Sequence, residues 1–314
     1  MLRYLEEHDL RVFDFPDPEA QQELPEAGAV AWRLAVDAYG GSDESFEERW
    51  NRFLDSVDPA GVRAIVVGAW VEPSQCDSRE VVQHLVDARD RLTALRAVFI
   101  GDIEMEEAEI SWIMQSDVTP VLEAYPLLEE LGVRGGTDLR FPAVRHQHLR
   151  TLRFETGGLP GEVVRGVAAS ELPALEHLEM WLGVEDYGGD ATVADLAPLL
   201  AHGRFPALRH LGLQDSEIQD EIAAAVASAP VVAQLTSLDL SMGTLSDTGA
   251  EALLNGQPLT HLEHLNLEHH FLSESMIERI RAAFASAKTE VNLEDPQTPE
   301  RWGDEEWRYV AVSE

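Results

Sequence analysis

Apolar residues recur along this chain in short runs of period two, most clearly as L-x-x-L-x-L. Leu149, Leu152 and Phe154 show the pattern, as do Leu175, Leu178 and Met180. It returns at Leu208, Leu211 and Leu213, at Leu235, Leu238 and Leu240, and at Leu262, Leu265 and Leu267. Looser versions come earlier: Leu128, Leu131 and Val133; Leu95, Val98 and Ile100; Val62, Ile65 and Val67; Leu34 with Val36. Val291 and Leu293 close the series. Successive runs lie 21 to 33 residues apart, centred in the range of leucine-rich repeats. Such alternation predicts strands whose apolar side chains enter a core while the intervening residues face out.

Between the runs the apolar spacing becomes helical, with start signals. In "LSDTGAEALL", Ser246 is placed as an N-cap and Ala250, Leu253 and Leu254 share one face. In "ATVADLAPLL", Thr192 and Asp195 occupy N-cap and N3, an acidic form of the capping box. "DSEIQDEIAAAVAS" and "LSESMIERIRAAFAS" read the same way. Strand, turn, helix and turn, repeated about ten times, predict an α/β leucine-rich-repeat solenoid, a horseshoe with parallel strands on its concave face and helices on its convex face. Residues 31–294 form the array, residues 1–30 are expected to be an N-terminal cap, and residues 295–314 a C-terminal cap. In that last segment Trp307, Tyr309 and Val310 are expected to cover the final repeat.

"LTSLDLSMGTLSDTGAEALL" resembles the longer, helix-containing repeats of ribonuclease-inhibitor type. The stretches "EISWIMQSDVTPVLEAYPLLEELGVRGG", "LPGEVVRGVAASELPALEHLEM", "LPALEHLEMWLGVEDYGGDATVADLAPLL" and "RYVAVSE" resemble a family of bacterial cytoplasmic leucine-rich-repeat proteins common in actinobacteria. The resemblance runs from about Ala31 to the end of the chain, at the repeat spacing already described. It implies a component that accompanies radical-SAM and ATP-grasp-like enzymes and carries no assigned reaction of its own.

Composition narrows the partners. Among 314 residues, Lys plus Arg number 23 and Asp plus Glu 58, a formal charge of −35. Such a polyanion repels nucleic-acid backbones and acidic membrane surfaces, so neither is expected as a partner. A basic protein, a basic peptide or a cation is favoured, although acidity that serves only solubility reads equally well. The lone Cys76 excludes an internal disulfide and a CxxC zinc site. It is followed by Asp77, which would raise a thiol pKa. The start of the chain lacks a secretory signal and no apolar stretch reaches about 20 residues, so a cytoplasmic protein is expected.

The residues with chemical potential lie on the outward-facing strand positions and on three loops. "HLEHLNLEHH", 261 to 270, gathers four histidines. His264 and Glu268 sit four residues apart on a strand, about 13 Å, too far to chelate one ion together. Aligning the repeats places His264 in one row with Ser237, His210 and His177. His177 and His210, on adjacent strands with Glu179 nearby, form the one metal alternative to a purely repetitive histidine stripe. A second row reads Arg153, Glu179, Gly212, Asp239, Asn266 and Asn292, and a third Arg134, Glu155, Trp181, Gln214, Ser241, Glu268 and Glu294. This is a polar, acidic surface interrupted by one large aromatic, either a partner anchor or a ring packed on its neighbour.

The insertion "WLGVEDYGGDAT" places Glu185, Asp186, Tyr187 and Asp190 around the flexible pair Gly188 and Gly189, a binding loop or an acidic turn. It lacks the alternating ligands of a calcium loop. In "EISWIMQSDVTP", Trp112, Ile113 and Val121 are expected to pack inward. Gln115, Ser116 and Asp117 stand at the mouth of a helix, with capping weighed above ligand contact. "VRGGTDLR" supplies a rare positive patch, Arg134 and Arg140. No nucleophile, catalytic triad or phosphate-binding glycine loop can be assembled. The sequence therefore points to a non-enzymatic protein- or peptide-binding scaffold without a cofactor. Its alternative is a metal-dependent or accessory enzyme at His177, His210 and Glu179.

Overall fold

The computed structural model describes residues 2–20, 22–37, 44–71, 74–303 and 305–314. It divides into two compact units, Met1–Glu155 with Ser170–Leu172 and Glu314, and Thr156–Ala169 with Pro173–Ser313. Each is a repeat-like α/β solenoid in which parallel strands alternate with helices. No helix among the described residues is long and apolar enough to cross a membrane.

The first unit contains six parallel strands in chain order: β1 (Arg11–Asp14), β2 (Val30–Leu34), β3 (Ala64–Val67), β4 (Ala97–Ile100), β5 (Glu130–Arg134) and β6 (Thr151–Glu155). Helices α2 (Phe46–Ser56), α3 (Arg79–Asp87) and α4 (Thr119–Ala124) lie in the connections. Leu34, Val67, Ile100, Val133 and Phe154 stand in one register row and are fully buried. The first run therefore ends at Leu34 rather than Val36, and its step to Val67 is 67 − 34 = 33 residues instead of the 31 counted from Val36. Phe15, Trp32 and Phe53 close this end of the core with tilted and edge-on rings.

The N-terminal segment is more than an end. It supplies β1, and its helix α1 (Arg3–Glu7) lies on the open face of the sheet, the face opposite the aliphatic core. Ala31, Ala64 and Ala97 are register partners there, and their small side chains let the helix approach. Leu2, Tyr4, Leu5 and Leu10 pack against them and against Val66 and Phe99. At this short helix's start, the Glu130 carboxylate accepts the backbone N–H groups of Arg3 (2.9 Å) and Tyr4 (2.6 Å). Those are orphan donors that an N-cap side chain would ordinarily satisfy.

The second unit begins with α5 (Gly161–Ala169) and continues with β7 (His177–Gly183), α6 (Val193–Leu200), β8 (His210–Ser216), α7 (Gln219–Val226) and β9 (Ser237–Asp239). There follow α8 (Asp247–Asn255), β10 (His264–Asn266), α9 (Glu274–Phe284), β11 (Glu290–Asn292), and the antiparallel pair β12 (Glu300–Trp302) and β13 (Glu305–Trp307). Leu178, Leu211, Leu238 and Leu265 form its buried spine. Thr192 and Asp195 make the expected capping box, and Ser246 accepts from the Thr248 N–H at the start of α8.

Two devices repeat through this unit. Asp215, Met242, His269 and Asp295 all have φ between +54° and +68°, marking the turn that leaves each strand. The N–H of each of the first three donates to a carbonyl of the next repeat, on Ser241, Glu268 and Glu294. A carboxylate in the first turn of one helix also receives the N-cap serine of the next. Asp220 accepts the Ser246 N–H and hydroxyl (2.7 and 2.5 Å), and Asp247 accepts those of Ser273 (2.8 and 2.7 Å).

The C-terminal tail departs from the expectation for it. Trp307 is 60% exposed and packs on no core. Tyr309 meets His269 and Phe271 edge-on, and Val310 is buried. Beyond them the chain runs back along the strand-leaving turns: Arg308 donates to Asp220 and to the Thr244 carbonyl, Ala311 N–H to the Met242 carbonyl, and Val312 N–H to Asp215. The tail stitches several repeats together because those turns present outward-facing carbonyls and one buried carboxylate.

Candidate functional site

Strand register places the sequence-derived rows side by side in the second unit. His177, His210, Ser237, His264 and Glu290 are successive partners on the open face. So are Glu179, Gly212, Asp239, Asn266 and Asn292. Trp181 pairs with Gln214 in the third row. The face grades along the strands: His177, Glu179, Gln214 and Ser241 are buried, Asp239, Asn266 and Glu268 half-buried, and His264, Glu290 and Glu294 exposed.

Its polar side chains are tied to one another across repeats. The Asn266 amide donates to Asp239 (2.9 Å), and the Asn292 amide donates to Glu268 (3.0 Å). Burial first, and the neighbouring Glu179 charge among the lesser causes, push the Asp239 carboxyl above its usual range. Glu179 lies between the His177 Nε2 (3.1 Å) and the Trp181 indole N–H (3.2 Å). The imidazoles of His177 and His210 stack with centroids 3.8 Å apart and planes 6° from parallel. His210 Nδ1 meets the Ser237 hydroxyl at 3.0 Å. Gly212 leaves a hollow beside them. A Cβ at this position would stand 2.9 Å from Gln214 Oε1, 3.1 Å from Glu179 Cγ and 3.4 Å from His210 Nε2. Gln214 Oε1 is buried with no hydrogen-bond partner, while the same amide's nitrogen donates to Ser241.

The remaining histidines of the 261–270 stretch point elsewhere. His261 Nε2 meets the Val232 carbonyl and His264 pairs with Glu290. His269 lies between Asp295 and the Tyr309 carbonyl, and the buried His270 bonds the Leu293 carbonyl. The last two fasten strand-leaving turns.

Other residues singled out from the sequence make contacts within their own units. In the first unit Gln115 is fully buried and donates to the Arg134 carbonyl. Asp117 accepts the Thr119 N–H and hydroxyl just before α4, whose N-cap is Val118. Trp112, expected inside, is 56% exposed, because Ile110 and Ile113 fill the inward positions around it. Arg134 is no open positive patch, since it pairs with the buried Glu155 at 2.7 Å and lies over the Phe99 ring. Arg153 pairs with Glu155 as well. A cavity of about 680 Å³ beside α1 is bordered by Leu2, Leu5, Arg33, Phe99, Asp102 and Arg134.

In the second unit the 181–192 insertion meets the 157–161 segment, while Glu185, Asp186 and Asp190 stay exposed. Gly158 and Gly183 bridge, and a Cβ on Gly158 would strike the Tyr187 carbonyl. Gly188 turns with φ +91°. Asp190 accepts the Gly161 N–H at 2.6 Å, at the start of α5. Sequence reasoning missed the hollow at Gly212 and the helix covering the first unit. An outward-facing glycine in one case, and three aligned alanines in the other, were the available signals.

No protein-family model and no curated protein matches this chain. A crystal structure of a Bacteroides fragilis protein is similar to it at 30% sequence identity and a TM-score of 0.77, covering 90% of this chain and 76% of that one. The chain belongs to the same family as that Bacteroides fragilis protein.

Proposed function

We propose that the protein is a non-enzymatic scaffold whose open strand face in the second unit binds a basic protein or peptide. One observation carries the reading: register-aligned polar rows run past half-buried Glu268 toward exposed carboxylates at Glu290 and Glu294. Hydrogen bonds between repeats hold those rows, so little side-chain entropy is lost when a partner docks. The net charge of −35 steers a cationic partner toward the face. In the first unit α1 covers the corresponding region of β2 to β4, which confines the proposed surface to the second. The resemblance to bacterial cytoplasmic repeat proteins makes partner enzymes of one biosynthetic route the natural class, and the cytoplasm the compartment.

Affinity capture from native lysate tests this with paired charge reversals. Glu268→Lys with Glu294→Lys should lose the captured partner, and Trp181→Ala should weaken capture. Glu221→Lys with Glu278→Lys, exposed on the helix side, should retain it. Equal loss from both pairs would mean that bulk charge, not the face, holds the partner.

A further inference from the structure

We propose that His177, His210 and Glu179 form a binding site for one divalent transition-metal ion of the zinc class. Each offers one ligand atom, and these atoms all lie within 4.8 Å of one another. Two imidazole nitrogens and a carboxylate oxygen are a donor set that zinc and its neighbours accept, and that magnesium and calcium do not favour. The three stand on adjacent, in-register strands, where backbone hydrogen bonds hold their Cα positions. That separates this cluster from the many exposed carboxylates of an acidic surface.

Three further features point into the same hollow. The Ser237 hydroxyl engages His210 Nδ1, leaving Nε2 as the ligand nitrogen and fixing the ring as outer partners of metal-bound histidines do. Gly212 adds no side chain in front of Nε2, where a Cβ would stand 3.4 Å away. Gln214 Oε1, buried and without a hydrogen-bond partner, borders the same space as a fourth donor, the second oxygen of the set.

The stack fixes what binding must change. The lone pairs of two stacked imidazoles lie in nearly parallel planes and do not meet at one ion. One ring must turn. The Ser237 bond holds His210, so His177 turns, exchanging its contact with Glu179 for a shared ion.

The test is titration of the demetallated full chain with Zn²⁺ alone, in competition with a chromophoric chelator. One ion per chain is expected, with His210→Ala and His177→Ala each weakening binding by more than about a hundredfold, and Ser237→Ala by about tenfold. His264→Ala, in the same row but outside the cluster, should bind as the wild type does. Zn²⁺ should raise the melting temperature of the wild type and not that of His210→Ala. Should His210→Ala fail to fold, Gly212→Ala serves instead, since it removes no donor and only fills the hollow. No stoichiometric ion, or unchanged affinity in the folded variants, overturns the site.

Discussion

Asp215 shows how one residue can carry a cost that its surroundings require. It is fully buried, holds φ at +55°, and accepts the Val312 N–H of the returning tail. Burial pushes its carboxyl up to about 8, with the Val312 and Ala311 N–H groups pulling the other way. The folded chain therefore holds a proton that the unfolded chain releases near pH 4. Protons bound by the native state exceed those bound by the unfolded state between about pH 4 and 8. Asp215 thus destabilises progressively as pH rises through that window, by up to about 1.4 kcal/mol per pH unit. Asp215→Asn keeps an acceptor for Val312 and tolerates the left-handed backbone, so it should remove this slope. Urea unfolding at pH 5 and pH 8 should show a smaller loss in the variant, and identical pH dependence would contradict the buried, protonated state. Glu130, pushed up to about 6 chiefly by burial, adds a slope of the same sign over a narrower window.

At the scale of elements, side chains from neighbouring repeats do the capping that a single helix does for itself elsewhere. The Asp220–Ser246 and Asp247–Ser273 pairs each join one helix start to the next, and Asp220 also receives the Gly249 N–H and Arg308. Asp220→Ala should cost about 1 to 2 kcal/mol, and Asp247→Ala less because its pair is exposed. Chemical denaturation of the two variants checks the order. Glu130→Ala should free α1 from the sheet, read as faster amide exchange across residues 3–10 with the rest of the unit protected. These contacts also mark the limit of the sequence. The leucine register was legible because period-two burial leaves a signal at every strand, and aligning it placed His177 beside His210 correctly. The Asp–Ser pairs were hidden because each reads as an ordinary polar helix start until two repeats are superposed. The helix over β2 to β4 was hidden because residues 1–30 have no periodic pattern. The burial of single site residues was not legible, since exposure cannot be read from alternation: Gln115 and Glu155 are outward-facing polar positions that neighbouring loops and arginines cover.

For the whole molecule, repetition makes some deletions far cheaper than others. Removing residues 235–261 of the second unit takes out one full period, because Leu235 and Leu262 are equivalent positions. The cut brings β10 beside β8 with His264 where Ser237 stood, and Leu265 against Leu211. It also deletes Ser246 together with Asp247, so Asp220 meets Ser273 and the serine link between helices is rebuilt. What is lost is the tail's hold on Met242 and Thr244, for which His269 supplies a carbonyl at the equivalent turn. Such a variant should fold cooperatively with a lower melting temperature. Removing residues 235–254 instead shifts the register out of phase. Serine and leucine positions no longer align, apolar groups face water, and the chain should aggregate. Cutting at Asp295 strips every tail contact, uncovering Phe271 and His269 and leaving the Asp215 carboxyl without the Val312 N–H. That truncation should aggregate too. Circular dichroism and size-exclusion chromatography on the three variants decide the matter. If the in-phase and out-of-phase deletions behave alike, stacking of equivalent coils is not what holds this unit together.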